Sequence, residues 1–391
     1  MSQSAVGSRD LLRRQHAAAD PRSAAAALGF IPVVALGFSD GGYYESTWRW
    51  ATLALAAVVG IQLVLGRHGT PGRLGWIALG SLAALGVWMA ASPAWGISGA
   101  EGLRETERCA LYVAGLAAIL LVRRGSTRAL LAGVLGGIAT LTLFGLGERV
   151  VDPPALDLYE GALLKNPVGY ANALGLLLGI GIVLTLGFLW DAGPRSLRLA
   201  LVALAATLGV SLLLTSSRGA WLATLAGAGV LVVMHADGNG RRWIRTAVVA
   251  GAAVGLLVVS TRVSFGDRAD YWRVATAEIA EHPILGSGAG TFDDYWLAHR
   301  PIAAYARDAH SLYLETAAEL GVLGLLFLMC ALCAPLVAAV KAPDRGLAAT
   351  ALGGYAAFLV HAGIDWDWEM PVTTLVGLAC GAALLVDVRR T

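Results

Sequence analysis

Four groups of residues in this 391-residue chain have the types and spacing for chemistry. Asp365-Trp366-Asp367, with Glu369 close behind, imitates the paired acids that offer oxygen ligands to magnesium or manganese. With Trp366 and Trp368 among them, the same acids can instead hold a sugar, and a plain solvated loop is the third reading. Arg218 sits in Thr215-Ser-Ser-Arg-Gly219, a turn too tight to be anything but a hairpin at a membrane face. A guanidinium there is costly and calls for a partner, unless it snorkels from a helix end. His310 stands where a long apolar segment resumes, and an imidazole titrates near neutral pH. Gly286-Ser-Gly-Ala-Gly-Thr-Phe292, with Gly288 the middle of its three glycines, permits close backbone approach to a ligand or makes a simple turn. No strand precedes it, so a dinucleotide role lacks its required context.

These residues need a scaffold, and composition says which. The chain is 57% hydrophobic and 14% charged, with a mean hydropathy of +0.66, against about a quarter charged for soluble domains. An integral membrane protein follows. About twelve segments are apolar over the length a spanning helix needs: 24-40, 48-66, 74-92, 107-122, 129-147, 169-190, 197-214, 219-235, 244-261, 314-340, 346-362 and 371-387. The first is short and carries Pro32, which suits an interfacial or kinked segment. The expected fold class is all-α, a single polytopic transmembrane helix bundle over 1-391, and no removable signal peptide is expected.

Lys and Arg concentrate at both termini and in the short loops near 67-73, 123-128, 191-198, 236-245 and 341-345, which hold 18 of the 29 basic residues and 6 of the 27 acids. Positive residues stay cytoplasmic in short loops. Both termini are therefore expected inside, with the loops at Ser92 to Glu107, Glu148 to Tyr170, Thr261 to His310 and His361 to Pro371 outside.

The segment 261-310 is the longest of these, with five arginines, seven acids and three histidines. Asp267 can cap a helix from Arg268 whose apolar stripe runs Trp272, Ala275, Ile279, until His282-Pro283 stops it. Tethered at both ends, this amphipathic helix is expected to lie across the external face as a lid or floor. Glu319, nine residues after His310, points to the opposite helix face and is a poor partner for it, whereas Glu315 and Glu319 share a face. Cys109, Cys330, Cys333 and Cys380 fall within or beside the apolar segments and read as small fillers.

Three stretches in fixed order resemble the O-antigen ligase and polymerase superfamily: Ser217-Arg-Gly-Ala-Trp-Leu-Ala223; Arg268-Ala-Asp-Tyr-Trp272 with His282-Pro-Ile-Leu-Gly-Ser-Gly-Ala-Gly-Thr-Phe292; and Ala309-His-Ser-Leu-Tyr-Leu-Glu315 through Glu319-Leu-Gly-Val-Leu-Gly324. The resemblance covers about 199-326, with Asn166-Pro-Val-Gly-Tyr-Ala-Asn172 a looser likeness before it. It implies a GT-C-like membrane glycosyltransferase of the bacterial inner membrane, working outside on a glycan carried by undecaprenyl diphosphate. It implies that Arg218 and Arg268 hold the diphosphate, that Arg273 is a secondary candidate, and that His310 activates the acceptor hydroxyl. No metal or other cofactor is implied, and the expected partners are the lipid-linked donor, a glycan or lipid-linked acceptor and membrane lipids, with no nucleic acid. An O-antigen ligase-like, inverting transfer is the leading reading and repeat-unit polymerase its alternative, and a small-anion transporter or a non-enzymatic envelope scaffold are the rivals from other classes.

Overall fold

The computed structural model describes residues 20-66, 68-96, 99-152, 162-235, 266-342 and 344-387. Among them are thirteen α-helices: α1 (Pro21–Gly37), α2 (Glu45–Leu65), α3 (Arg73–Ala91), α4 (Gly99–Leu120), α5 (Thr127–Val151), α6 (Ala171–Trp190), α7 (Arg195–Thr215), α8 (Arg218–His235), α9 (Arg268–Glu281), α10 (Phe292–His299), α11 (Leu312–Val340), α12 (Arg345–Ala362) and α13 (Pro371–Asp387). No strand occurs among the described residues.

Helices lie over eleven of the twelve expected apolar segments, and the remaining one, 244-261, falls outside the described residues. By length and composition, seven helices among the described residues are apolar enough to cross a membrane: α2, α3, α5, α6, α7, α8 and α11. The chain is a multi-pass membrane protein. α1 and α13 are shorter apolar helices, and α1 runs through Pro32 without a break in assignment.

The bundle is graded from centre to rim. In α6, 78% of the spanning window is buried, against 11% in α2 and 17% in α7, so α6 is an inner helix and the other two lie at the rim. α4 starts well before the apolar run that announced it. Its first turns carry Glu101, Arg104, Glu105 and Arg108, whose spacing pairs Arg104 with Glu101 and Arg108 with Glu105 along one helix face. Most of the expected loop at Ser92 to Glu107 is therefore helix.

Helix ends and connections gather at one end of the bundle. There the turn after α1 packs Gly41 against Val168 and Met370, the segment before α6 hydrogen-bonds the loop before α13, and Gly219 of α8 lies against His361 of α12. The same end carries α9 and α10, which share a small apolar cluster of Tyr271, Val274, Ala275, Phe292, Tyr295 and Trp296 with Ala306, Ala309 and Ala318. The stripe α9 buries is thus Tyr271, Val274, Ala275 and Glu278, offset by one position from the expected Trp272, Ala275 and Ile279, of which Trp272 and Ile279 are only partly buried. Asp267 precedes α9 but makes no side-chain cap bond, while His282 ends the helix as expected.

α11 breaks at Gly321, whose φ of 65° lies in the left-handed region. The break frees backbone carbonyls, and the glycine-rich turn supplies donors for them: Ser287 N–H to Ala318 O at 3.1 Å and Gly288 N–H to Glu319 O at 2.8 Å, with Trp88 Nε1 donating to Leu320 O at 3.0 Å. Val322 N–H in turn donates to Pro283 O at 3.0 Å. A Cβ at Gly286 would collide with the Glu319 backbone, and one at Gly321 with the Ile284 backbone. Both glycines also hold positive φ, so two separate constraints demand glycine at this contact.

Candidate active site

The loop between α12 and α13 is the hub of the site. Asp365 is 1% exposed and accepts from Arg268 Nη2 at 2.7 Å, Asn172 Nδ2 at 2.8 Å, Tyr170 Oη at 2.9 Å and the Trp366 backbone N–H at 2.9 Å. Four donors on one carboxylate satisfy its lone pairs and fix Arg268 by a charge-assisted bond. Arg268 keeps a quarter of its side chain exposed, so part of the guanidinium still faces outward.

Asp367 and Glu369 turn to other partners. Asp367 Oδ2 meets His361 Nδ1 at 2.7 Å, both groups fully buried, while Glu369 Oε1 lies 3.8 Å from Arg108. The solvated-loop reading of these acids is therefore corrected: all three are buried, each beside its own partner. Nor do they form a cation pattern together. Alternate residues of a short turn point apart, which sequence adjacency conceals.

A different set of carboxylates does converge. Oxygens of Asp308, Glu315 and Glu369 lie within 4.8 Å of one another. Arg108 pairs with Glu105 beside them, and Glu315 accepts the Ala309 backbone N–H at 2.6 Å. Burial raises Asp308 to about 6 against the pull of Arg108 and Arg307. Among the described residues these three form a group with the donor set for a cation, and no local motif marks it because they are spread over 62 positions.

His310 stands on the other side of the Asp308 peptide. It holds a φ of 54°, and its Nδ1 sits 3.0 Å from Asp308 O. A carbonyl only accepts, so Nδ1 carries the proton, and in the neutral ring Nε2 then bears the lone pair. Among the described residues Nε2 has no hydrogen-bond partner. The ring is tilted against Tyr271, with centroids 5.1 Å apart, and faces Trp366 at 6.3 Å. Burial lowers His310 below the ordinary imidazole value, with the Asp365 carboxylate pulling the other way. The side chain is thus neutral at pH 7 with a free basic nitrogen.

Trp366 joins these parts. It is half-buried, tilted on Tyr170 at 4.7 Å and edge-on to Tyr43 at 5.6 Å. Tyr43 Oη accepts from Arg307 Nη1 at 3.2 Å.

Arg218 is the first residue of α8 and is exposed. Ser217 caps this helix, its Oγ accepting the Ala220 N–H at 3.2 Å. The partner anticipated for Arg218 does not appear among the described residues. Its place is nonetheless fixed, because the next residue, Gly219, would set a Cβ 3.3 Å from His361 Nε2. Arg218, Arg268 and His310 therefore surround one loop, through Gly219 and His361, through Asp365, and through Trp366.

Two residues singled out from the sequence lie apart from this arrangement. Arg273 is 70% exposed and pairs with Asp270 at 2.9 Å on the outer face of α9. Gly288 is buried, and its close approach is to Gly96, whose Cα would lie 2.7 Å from an added Cβ. Glu319, expected to avoid His310, accepts the N–H groups of Gly290 at 2.8 Å and Phe292 at 3.0 Å. Sequence reasoning missed Tyr43, Tyr170, Asn172, Tyr271, His361 and Arg307. Of these Tyr271 lay inside the Arg268 to Trp272 motif, and Tyr170 and Asn172 lay in the looser Asn166 to Asn172 segment.

Residues 201–329 match the family model described as O-antigen ligase, which supports membership of the O-antigen ligase superfamily. The matched stretch holds Arg218, Arg268 and His310 and stops short of the Asp365 loop. No curated protein matches the chain.

Proposed function

We propose, from the premise of membership in the O-antigen ligase superfamily, that this chain transfers a glycan from an undecaprenyl-diphosphate-linked donor to an acceptor hydroxyl at the external membrane face. The observation that carries the reading is the state of His310: neutral, with Nδ1–H spent on Asp308 and Nε2 free, on a ring that faces Trp366 and feels the charges of the Arg268–Asp365 pair. A base with that tautomer is suited to take a proton from an incoming hydroxyl.

In this reaction the acceptor oxygen attacks C1 of the donor sugar while its proton passes to Nε2. The bond from C1 to the diphosphate oxygen breaks, and its electron pair leaves with the diphosphate. Arg268, held by Asp365, and Arg218, at the exposed start of α8, supply guanidinium groups to that growing charge, so neither a divalent cation nor a covalent intermediate is required. Direct displacement inverts the anomeric centre. Trp366, flanked by Tyr43 and Tyr170, offers the apolar ring face on which a sugar can rest. The site then lies on the periplasmic side of the inner membrane, with a GT-C-like bundle behind it and both termini in the cytoplasm.

Ligase and repeat-unit polymerase share this donor and differ in the acceptor. The placement of all three groups around one loop at one end of the bundle favours either of them over a transporter, which holds its charged residues in broken helices near mid-membrane.

The test is glycan transfer by purified protein in EDTA with an undecaprenyl diphosphate donor, comparing wild type with Arg218→Ala, Arg268→Ala and His310→Ala. Transfer in wild type and loss in all three variants is expected. Activity that EDTA abolishes and magnesium restores would overturn the metal-free reading and move attention to Asp308, Glu315 and Glu369.

A further inference from the structure

α1 and α2 are consecutive and joined by a tight turn, yet they diverge. α1 packs on α5 and α2 packs on α4, so an open groove of about 840 Å³ remains between them. Its walls are apolar along most of their length, from Ala24 and Val58 at one end past Ala27, Ile31 and Ala54. Gly115, Ile119 and Leu375 lie below, beneath Leu28, Pro32 and Leu55.

Polarity appears only where the groove meets the turn between the helices, at Ser39, Ser46 and Thr47. That turn also carries Tyr43, the residue edge-on to Trp366 and bonded to Arg307. The polar end of the slot therefore belongs to the same turn as the tyrosine that meets Trp366. A molecule with a long hydrocarbon tail and a polar head matches both ends of it.

We propose that the groove between α1 and α2 seats the prenyl chain of the lipid-linked donor, so that its polar head emerges at Tyr43 and Trp366. This rests on the donor class in the reading above and adds where the lipid lies. The slot lets the lipid enter sideways from the bilayer, and apolar contact along its walls holds the chain while the head is transferred.

Ala24 and Val58 line the far end of the groove, about four and three helical turns from Ser39 and Thr47, so they can be enlarged without disturbing the polar site. The experiment compares wild type with Ala24→Trp and Val58→Trp in detergent, each checked by its melting temperature. Retention of undecaprenyl diphosphate is read by native mass spectrometry, and transfer is read with the same glycan diphosphate on an undecaprenyl or a farnesyl chain. Loss of about two methylene contacts corresponds to roughly tenfold in affinity. We expect each variant to retain the long-chain lipid about tenfold less well and to raise its KM alike, with the farnesyl donor unchanged. Equal losses for both donors, no loss for either, or phosphatidylglycerol competing as well as undecaprenyl diphosphate would overturn the proposal. If wild type retains the lipid and the variants do not, while no glycan is transferred, the groove stands and the reaction assigned above falls.

Discussion

Two contacts at the same end of the bundle use comparable sequence motifs in opposite ways. Where the glycine-rich turn meets the break in α11, donors and acceptors are matched within the protein: Ser287 and Gly288 serve the freed carbonyls, and Glu319 serves Gly290 and Phe292. Around the loop after α12, the carboxylate is saturated but the cations and the base are not. Arg268 is part-exposed, Arg218 has no ion pair among the described residues, and His310 keeps Nε2 free. A motif rich in glycine and one rich in charge look equally chemical as text. Hydrogen-bond saturation separates them: the first contact is a joint, and the second is poised for a substrate.

The largest effect that could break this distinction is at His310. His310→Ala is expected to lower kcat by about 10²–10⁴, the usual worth of a general base, while donor binding and melting temperature hold. A variant that melts early or loses donor binding in proportion would turn the histidine into part of the joint. Its lowered pKa adds a sharper form of the same test. The base must be unprotonated, so kcat/KM should climb with pH along a limb whose apparent pKa lies below the ordinary imidazole value of 6.5. A limb above that value would contradict the neutral tautomer.

Next is Asp365, which orients the site without touching the reacting atoms. Removing one partner of a buried charge pair costs about 2–5 kcal/mol, so Asp365→Asn should lower kcat/KM by roughly 100-fold, with Arg268 freed to move. Asp367→Asn serves as the comparison, since its partner is His361. Equal losses in both variants would mean that the loop acts only as a packed unit.

The joint makes the reverse prediction. Gly321→Ala forces an alanine into positive φ against the Ile284 backbone, and the strain and clash together should cost about 3 kcal/mol or more. Yield and melting temperature should fall, and the transfer rate per folded molecule should stay near wild type. A well-folded Gly321→Ala protein without activity would place the glycine turn in the chemistry instead.

Much of this was legible in the sequence. Long apolar segments mark their own helices, because spanning a bilayer requires an unbroken run of one kind of residue. The motif order also put Arg218, Arg268 and His310 on a short list. What the sequence could not carry was pairing over long separations. Asp365 meets Arg268 across 97 positions and Asn172 across 193, and no local spacing encodes either. Asp365 and Asp367 misled for the complementary reason, being neighbours in the chain whose side chains diverge.

Glu278 gives the smallest effect and tests the joint from its charged side. It is fully buried in α9, Oε1 accepts from Ser287 Oγ at 2.6 Å, and Oε2 has no partner. Burial raises its pKa from 4.5 to about 7. Between those values the folded protein holds a proton that the unfolded chain has already released. Stability therefore falls as pH rises through that window and levels off above it. Glu278→Gln keeps the acceptor for Ser287 and has no charge to bury, so it should match wild type near the lower value and melt higher at pH 8. The gain is bounded at about 3.5 kcal/mol, since each pKa unit corresponds to about 1.4 kcal/mol. Melting curves at both pH values decide it: a difference that does not grow with pH would mean that the carboxyl finds a partner when ionised, and that the joint is less closed than its hydrogen bonds make it.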